Sequence, residues 1–308
     1  MRIDDLHCLP KFRDSLSYLY LEHGNIDKHE QSIAFYDSNG ITPVPASSLA
    51  VLMLGPGTRI THAAISTLAD NNCLLIWCGE ENVRFYACGT GGTRSSAPLL
   101  LQARLASDEV ARLQVVKRMY QMRFLEDVDP SLTIEQLRGR EGIRVRDSYA
   151  QASKKYGVVW SGRSYDRQDW RSGDPVNRAL SAANSCLYGL CHAAILSAGY
   201  SPAIGFIHTG KQLSFVYDVA DLYKADLTIP LAFQMAINPP NEMERQVRLR
   251  LRDIFRETKL VQRVIPDIKL ALGDEISDEN SLLDGDPAMP TELWTPETES
   301  RQSCDLEN

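Results

Sequence analysis

The chain has 308 residues, 44% hydrophobic and 24% charged, the composition of an ordinary soluble globular protein with a sizeable core. The start, MRIDDLHCLP, lacks a signal-peptide pattern, and no apolar run approaches the roughly 20 residues of a membrane span. Seven cysteines, an odd number without a small-scaffold framework, fit a reducing cytosol, so membrane and secreted classes drop out and a cytoplasmic location is expected.

The net charge of −7 is unevenly spread. Residues 273–308 hold eleven acids against one base, Arg301, so this tail carries −10 and residues 1–272 carry +3. A mildly basic body with an acidic appendage is compatible with a nucleic-acid partner for the body.

In chain order, the first ninety residues read as strands. Residues 31–37 lead into Asn39-Gly40, a two-residue hairpin signal, followed by a strand over 40–45. Short apolar or alternating runs at 49–54, 73–78 and 83–88 predict further strands, with one helix over 61–71 between them. GTGGTRSSAP, residues 89–98, is a linker by composition. Pro98 suits a first helical turn, and helical spacing continues to about Phe124. Thr133 and Gln136 form a capping-box pair before a helix to about Tyr156, and Asp174-Pro175 opens another that Gly199 stops. Shorter helices follow near 214–224 and 228–237, then a long one from about Asn241 to Leu272. The fold class expected is α+β: an N-terminal β-rich domain (1–90), a linker (91–98), a larger all-helical C-terminal domain (99–272) and an acidic tail (273–308) with a disorder-prone composition. Leu282, Leu283, Met289, Leu293 and Trp294 are apolar islands in that tail, the pattern of a segment that folds on a partner.

Arg245, Arg248, Arg252, Arg256, Lys259 and Arg263 fall along one face of the last helix, with Val247, Leu251, Ile254, Val261 and Ile265 opposite. The stripe reads as a phosphate-backbone track or as a solvated face balanced by Glu244, Asp253 and Glu257. Residues 138–178 add ten Lys or Arg against five acids, interleaved with Tyr149, Tyr156, Trp160, Tyr165 and Trp170. Such aromatics stack on unpaired bases or, more often, fill a core.

GFIHTGKQ, residues 205–212, nearly matches a nucleotide phosphate loop, but Gln212 stands where the magnesium-holding hydroxyl belongs. An ATPase reading fails there. The cysteines and His192 lack the paired spacings of a zinc site and read as small buried hydrophobes.

Four residues survive this filtering: Glu141 among arginines, His208 in a Gly-bounded loop, and Asp218 and Asp221 one helical turn apart. Singly, each has a plain explanation: Glu141 pairs with Arg138 and Arg144, Asp218 caps a helix, Asp221 favours a first turn, His208 is a satisfied loop histidine. Jointly, in a basic helical domain, they suit a divalent cation that polarises a phosphate.

LGPGTRITHAA, EQLRGREGIRVR, YGVVWSGRSYD, AIGFIHTGKQLSFVYDVADLYKAD and VRLRLRDIF strongly resemble the CRISPR adaptation integrase of subtype I-E, over about residues 10–272. The resemblance implies an N-terminal β domain and a helical domain. It implies a homodimer, two of which flank a dimer of a small second adaptation subunit in a heterohexamer-like complex. The implied activity is capture of short double-stranded DNA and joining of its 3′ ends to the leader-proximal CRISPR repeat by transesterification, with hydrolytic nicking as the companion reaction. The implied ligands of Mg²⁺ or Mn²⁺ are Glu141, His208 and Asp221, with Asp218 a further catalytic acid. Arg59, Arg84, Arg138, Arg163, Arg245 and Arg248 become DNA-contact candidates. One position departs: His23 stands where relatives carry a Tyr that wedges the duplex end. The rival reading is a DNA-binding scaffold that has lost catalysis.

Overall fold

A computed structural model describes residues 17–71, 73–79, 85–89, 96–124, 128–129, 131–163 and 174–274. Arg84, Tyr165, Trp170 and the apolar islands of the tail lie outside the described residues.

Two four-stranded sheets come first. In one, β1 (Ser17–Leu21), β5 (Leu49–Leu54), β7 (Leu74–Cys78) and β8 (Phe85–Gly89) lie in that order, the first three parallel and the last antiparallel. The other has the order β4 (Gly40–Val44), β3 (Ser32–Asp37), β2 (Asn25–His29), β6 (Arg59–Ile60). The hairpin forms with Asp37 opposite Gly40, so its loop is Ser38–Asn39 and not Asn39-Gly40. Helix α1 (His62–Asp70) starts where Thr61 accepts a hydrogen bond from the Ala64 amide.

Both faces of β5 are apolar, which is why it reads as a continuous run. Leu52 and Leu54 face Ile26, Ile33, Phe35 and α1's Ala64 and Leu68, whereas Val51 and Met53 join the helical core. The period-2 alternation of a strand thus serves two cores at once. The β-sheet region is followed by a helical region, as an α+β class requires.

The helices are α2 (Ala97–Ser107), α3 (Glu109–Phe124), α4 (Ile134–Tyr156), α5 (Pro175–Ser197), α6 (Ser214–Ala220), α7 (Thr228–Ile237), α8 (Met243–Glu257) and α9 (Leu260–Leu272). Two single-helix expectations are corrected. The stretch after Pro98 breaks at Asp108, whose carboxylate caps α3 through the Ala111 amide at 2.6 Å. The stretch 241–272 breaks at Thr258–Lys259, where Lys259 takes φ 52°, so the six-cation stripe spans two helices. Elsewhere the capping box stands as read, with both bonds formed at Thr133 and Gln136, and Gly157, which the sequence reading did not single out, ends α4 in the left-handed region.

Helix α5 is long and apolar enough to cross a membrane, contrary to the sequence expectation. Its side chains are instead the centre of the core: Leu180, Cys186, Leu187, Leu190 and Ile195 are buried, and α6, α7, α8, α9 and β5 pack around it. Each such Leu or Ile contributes about 1.5–3 kcal/mol by leaving water. Of the two readings of the aromatics, the core reading holds for Tyr149 and Trp160. Tyr149 stacks on Trp160 at 4.6 Å between ring centroids, and both pack against buried Phe233.

Candidate metal centre and nucleic-acid interface

Three separate segments carry the four residues: α4 brings Glu141, the 205–210 loop brings His208, and α6 with its C-cap brings Asp218 and Asp221. The loop is shaped from both sides. Asp218, fully buried, accepts the amides of Phe206, Ile207 and His208 at 2.7, 3.1 and 2.9 Å. Arg112 donates to the Phe206 carbonyl from Nε and Nη2, at 3.1 and 2.9 Å. A Cβ at Gly205 would overlap the His208 carbonyl oxygen, so only glycine lets the chain fold this tightly. The amides that resembled a phosphate loop therefore cradle a carboxylate of the same chain.

Asp218 also accepts from the imidazole, with His208 Nδ1 2.7 Å from Asp218 Oδ1. This turns His208 Nε2 toward Asp221, 3.9 Å from Oδ2. Asp218 is thus an orienting acid, spent on the loop and the ring. Glu141 reaches the same place from α4, next to a buried arginine that the sequence reading passed over. Arg123 Nη1 lies 3.6 Å from Glu141 Oε1 and Nη2 lies 3.6 Å from Asp221 Oδ2. Lys224 Nζ sits 2.6 Å from Asp221 Oδ1.

Burial raises the Glu141 pKa, against the lowering effect of Arg123 and Arg144 and with a further rise from Asp221. For Lys224 burial acts downward, but Asp221 and Tyr188 outweigh it and the pKa is raised. Glu141 Oε2 is buried without a hydrogen-bond partner, and Arg144 Nη1 is 3.8 Å away. Two carboxylates, one of them with an orphaned buried oxygen, and an imidazole nitrogen turned toward Asp221 are a donor set that fits a hard or borderline divalent cation. Among the described residues no three His, Cys, Asp or Glu side chains form a ready-made metal cluster; Arg123 stands between two of them.

The family model described as CRISPR associated protein Cas1 matches residues 119–238, the segment that contains all of these side chains except Arg112. The CRISPR-associated endonuclease Cas1 2 of Thermus thermophilus is 53% identical over 292 residues, covering 94% of this chain and 90% of the relative. The chain belongs to the Cas1 family. The CRISPR-associated endonuclease Cas1 of Escherichia coli K12 is 50% identical over 265 residues, covering 85% of this chain and 87% of the relative. The crystal structure of a TtCas1–DNA complex superimposes with a TM-score of 0.65 at 54% identity, covering 86% of this chain and 100% of that one.

Of the arginines proposed for DNA in this Cas1 chain, Arg59, Arg138 and Arg245 are exposed. Arg163 is exposed yet committed, donating to the Asn177 side chain and carbonyl at 3.2 Å and to Ser181 Oγ at 3.1 Å. Arg248 lies over the Tyr20 ring, 4.7 Å from its centroid, and so joins α8 to β1. Acids partly neutralise the stripe: Arg245 meets Glu242, Arg256 meets Asp253, and Arg263 meets Asp267. Val247 and Leu251 are buried opposite, while Ile254, Val261 and Ile265 are only partly so. His23 adopts φ 56° and its amide donates to Pro56, inside the first motif of the resemblance.

Arg112, Arg123 and Lys224 were missed as parts of the site. For Arg123 a signal existed: Val116, Met119, Tyr120 and Arg123 fall at i, i+3, i+4 and i+7, so the arginine sits on the buried stripe of α3. A cation there is costly unless paired.

Proposed function

We propose that the protein is a metal-dependent DNA endonuclease and integrase of CRISPR spacer acquisition, acting in the cytosol. The observation that carries this reading is the convergence of Glu141, His208 Nε2 and Asp221 from three segments, in a chain of the Cas1 family. The relatives named endonucleases and the TtCas1–DNA complex support DNA as the substrate. All four residues of the constellation are present, which favours the enzyme over the inactive scaffold.

Glu141, His208 and Asp221 are the residues that would hold Mg²⁺ or Mn²⁺. The ion, when bound, supplies Lewis-acid stabilisation of negative charge on a phosphodiester. Asp218 keeps the His208 ring in one orientation and Nε2 free of the loop. The protein's other task is placement, with arginines such as Arg59, Arg138 and Arg245 binding backbone phosphates and holding the reacting strands in line. In the joining reaction a 3′-hydroxyl oxygen forms a bond to phosphorus, and the target strand's P–O3′ bond breaks. In nicking, water takes the place of that hydroxyl. A homodimer working with a small second adaptation subunit completes the reading, with the leader-repeat DNA as target.

The test is incubation with branched DNA and Mn²⁺ or Mg²⁺, with and without chelator. Cleavage and joining that disappear with chelator support the reading. DNA binding with no reaction in any divalent metal supports the scaffold instead.

A further inference from the structure

Arg123 is 2% exposed, so its charge is held almost wholly out of water. It makes few strong bonds there. Nη2 donates to the Asp218 carbonyl at 3.2 Å, the guanidinium lies 5.5 Å from the Tyr120 ring centroid, and Nε has no hydrogen-bond partner. Its two distances of 3.6 Å, to Glu141 and to Asp221, exceed those of a bidentate fork. The guanidinium therefore acts on both carboxylates by charge more than by directed bonding. Those carboxylates come from α4 and from the end of α6, and without a cation between them they would repel. Lys224 lies at hydrogen-bond distance from Asp221, on the other carboxylate oxygen from the one nearest Arg123, and its ammonium is also 4.8 Å from the Tyr188 ring centroid.

We propose that Arg123 is the positioning residue of this site: a built-in countercharge that holds Glu141 and Asp221 together until a divalent ion enters. The proposal rests on the metal reading above. Two consequences follow from charge alone. The metal-free protein depends on Arg123 more than the loaded protein does, because a bound cation neutralises the same carboxylates and repels the guanidinium. By linkage, removing Arg123 must then increase the stabilisation that a metal confers. An arginine that merely fills space predicts neither.

The experiment is thermal melting of the full chain and of Arg123→Met, each with chelator and with saturating Mn²⁺. The expected result is a fall of roughly 5–10 °C for Arg123→Met in chelator, on the scale of a few kcal/mol for a domain of this size, with at least half of the gap closed by Mn²⁺. A gap of equal size in chelator and Mn²⁺, with the wild type itself stabilised by Mn²⁺, overturns the proposal and leaves the metal reading standing. No stabilisation of wild type by Mn²⁺ overturns both. If Arg123→Met does not fold, Arg123→Met combined with Glu141→Gln decides the matter. Removing one negative charge along with the positive one should restore a folded protein that melts in chelator above the single variant. A double variant that is also unfolded would assign Arg123 to packing and overturn the proposal.

Discussion

Asp218 Oδ1 and His208 Nδ1 are 2.7 Å apart, and the same carboxylate accepts three consecutive backbone amides of the loop that carries the histidine. Loop shape and ring orientation are therefore one structural fact, because a single buried side chain sets both. A carboxylate so engaged has little capacity left for a metal. In the proposed reaction its contribution runs through His208.

Asp218→Asn tests that division of labour. The amide preserves volume but offers a poorer acceptor to three N–H groups, each bond to the charged form being worth about 1.5–3 kcal/mol. We expect a lowered melting temperature and a 10–100-fold loss of metal-dependent turnover, with the Mn²⁺ requirement shifted to higher concentration. DNA affinity, measured by titration at fixed salt, should stay near wild type.

Arg245 and Arg248 are expected to part company. Arg245→Glu reverses an exposed charge and removes one phosphate-neutralising cation, so DNA affinity should fall alike across sequences and the log–log salt slope should decrease by about 1 in magnitude. Arg248→Glu should show the same electrostatic loss and, in addition, a lower melting temperature, because Arg248 covers the Tyr20 ring. Unchanged affinity and salt slope in folded Arg245→Glu would return the stripe to a solvated face.

His192 provides a pH dependence that does not involve the candidate DNA-contact arginines. It is 3% exposed, and burial pushes its pKa from 6.5 down to about 4. The unfolded chain therefore binds more protons than the folded one between those values, and stability must fall as pH drops from about 6.5 toward 4. The loss attributable to this group is at most about 3 kcal/mol. Chemical denaturation across that window should show a flatter pH profile for His192→Gln than for wild type.

Gly57 sits at φ 72°, and a Cβ there would stand 2.6 Å from His23 Nδ1 and 3.3 Å from its Cα. Gly57→Ala should cost about 1–3 kcal/mol, read as a lower midpoint in urea, since both the backbone and the His23 contact resist it.

Legibility in the sequence tracked how local each determinant is. The N-terminal cap of α4 depends on Thr133 and Gln136, which are close together in the chain, and it stood as read. The breaks at Asp108 and Lys259 were hidden because apolar spacing continues across them; only the cap bond to Ala111 and the left-handed backbone at Lys259 reveal two helices. Glu141, His208, Asp218 and Asp221 were singled out in the sequence, where spacing alone put Asp218 and Asp221 on one side of a helix and only the family resemblance set Asp221 apart as a ligand. Their different surroundings come from tertiary placement, with one buried under a loop and the other turned to Arg123 and Lys224. The stripe of cations was visible, whereas its partial neutralisation by Glu242 and Asp267 depends on side-chain reach.

The most direct measurement of the central claim is Mn²⁺-titrated cleavage and strand joining on branched DNA by Glu141→Ala, His208→Ala and Asp221→Ala. DNA binding and thermal melts are recorded on the same preparations. If these three side chains hold one ion against the scissile phosphate, each substitution abolishes both reactions while DNA binding survives, and a double variant is scarcely worse than a single one. A well-folded Glu141→Ala protein that retains metal-dependent turnover would contradict the account, leaving Glu141 as the ion-pair partner of Arg123 and Arg144 and nothing more.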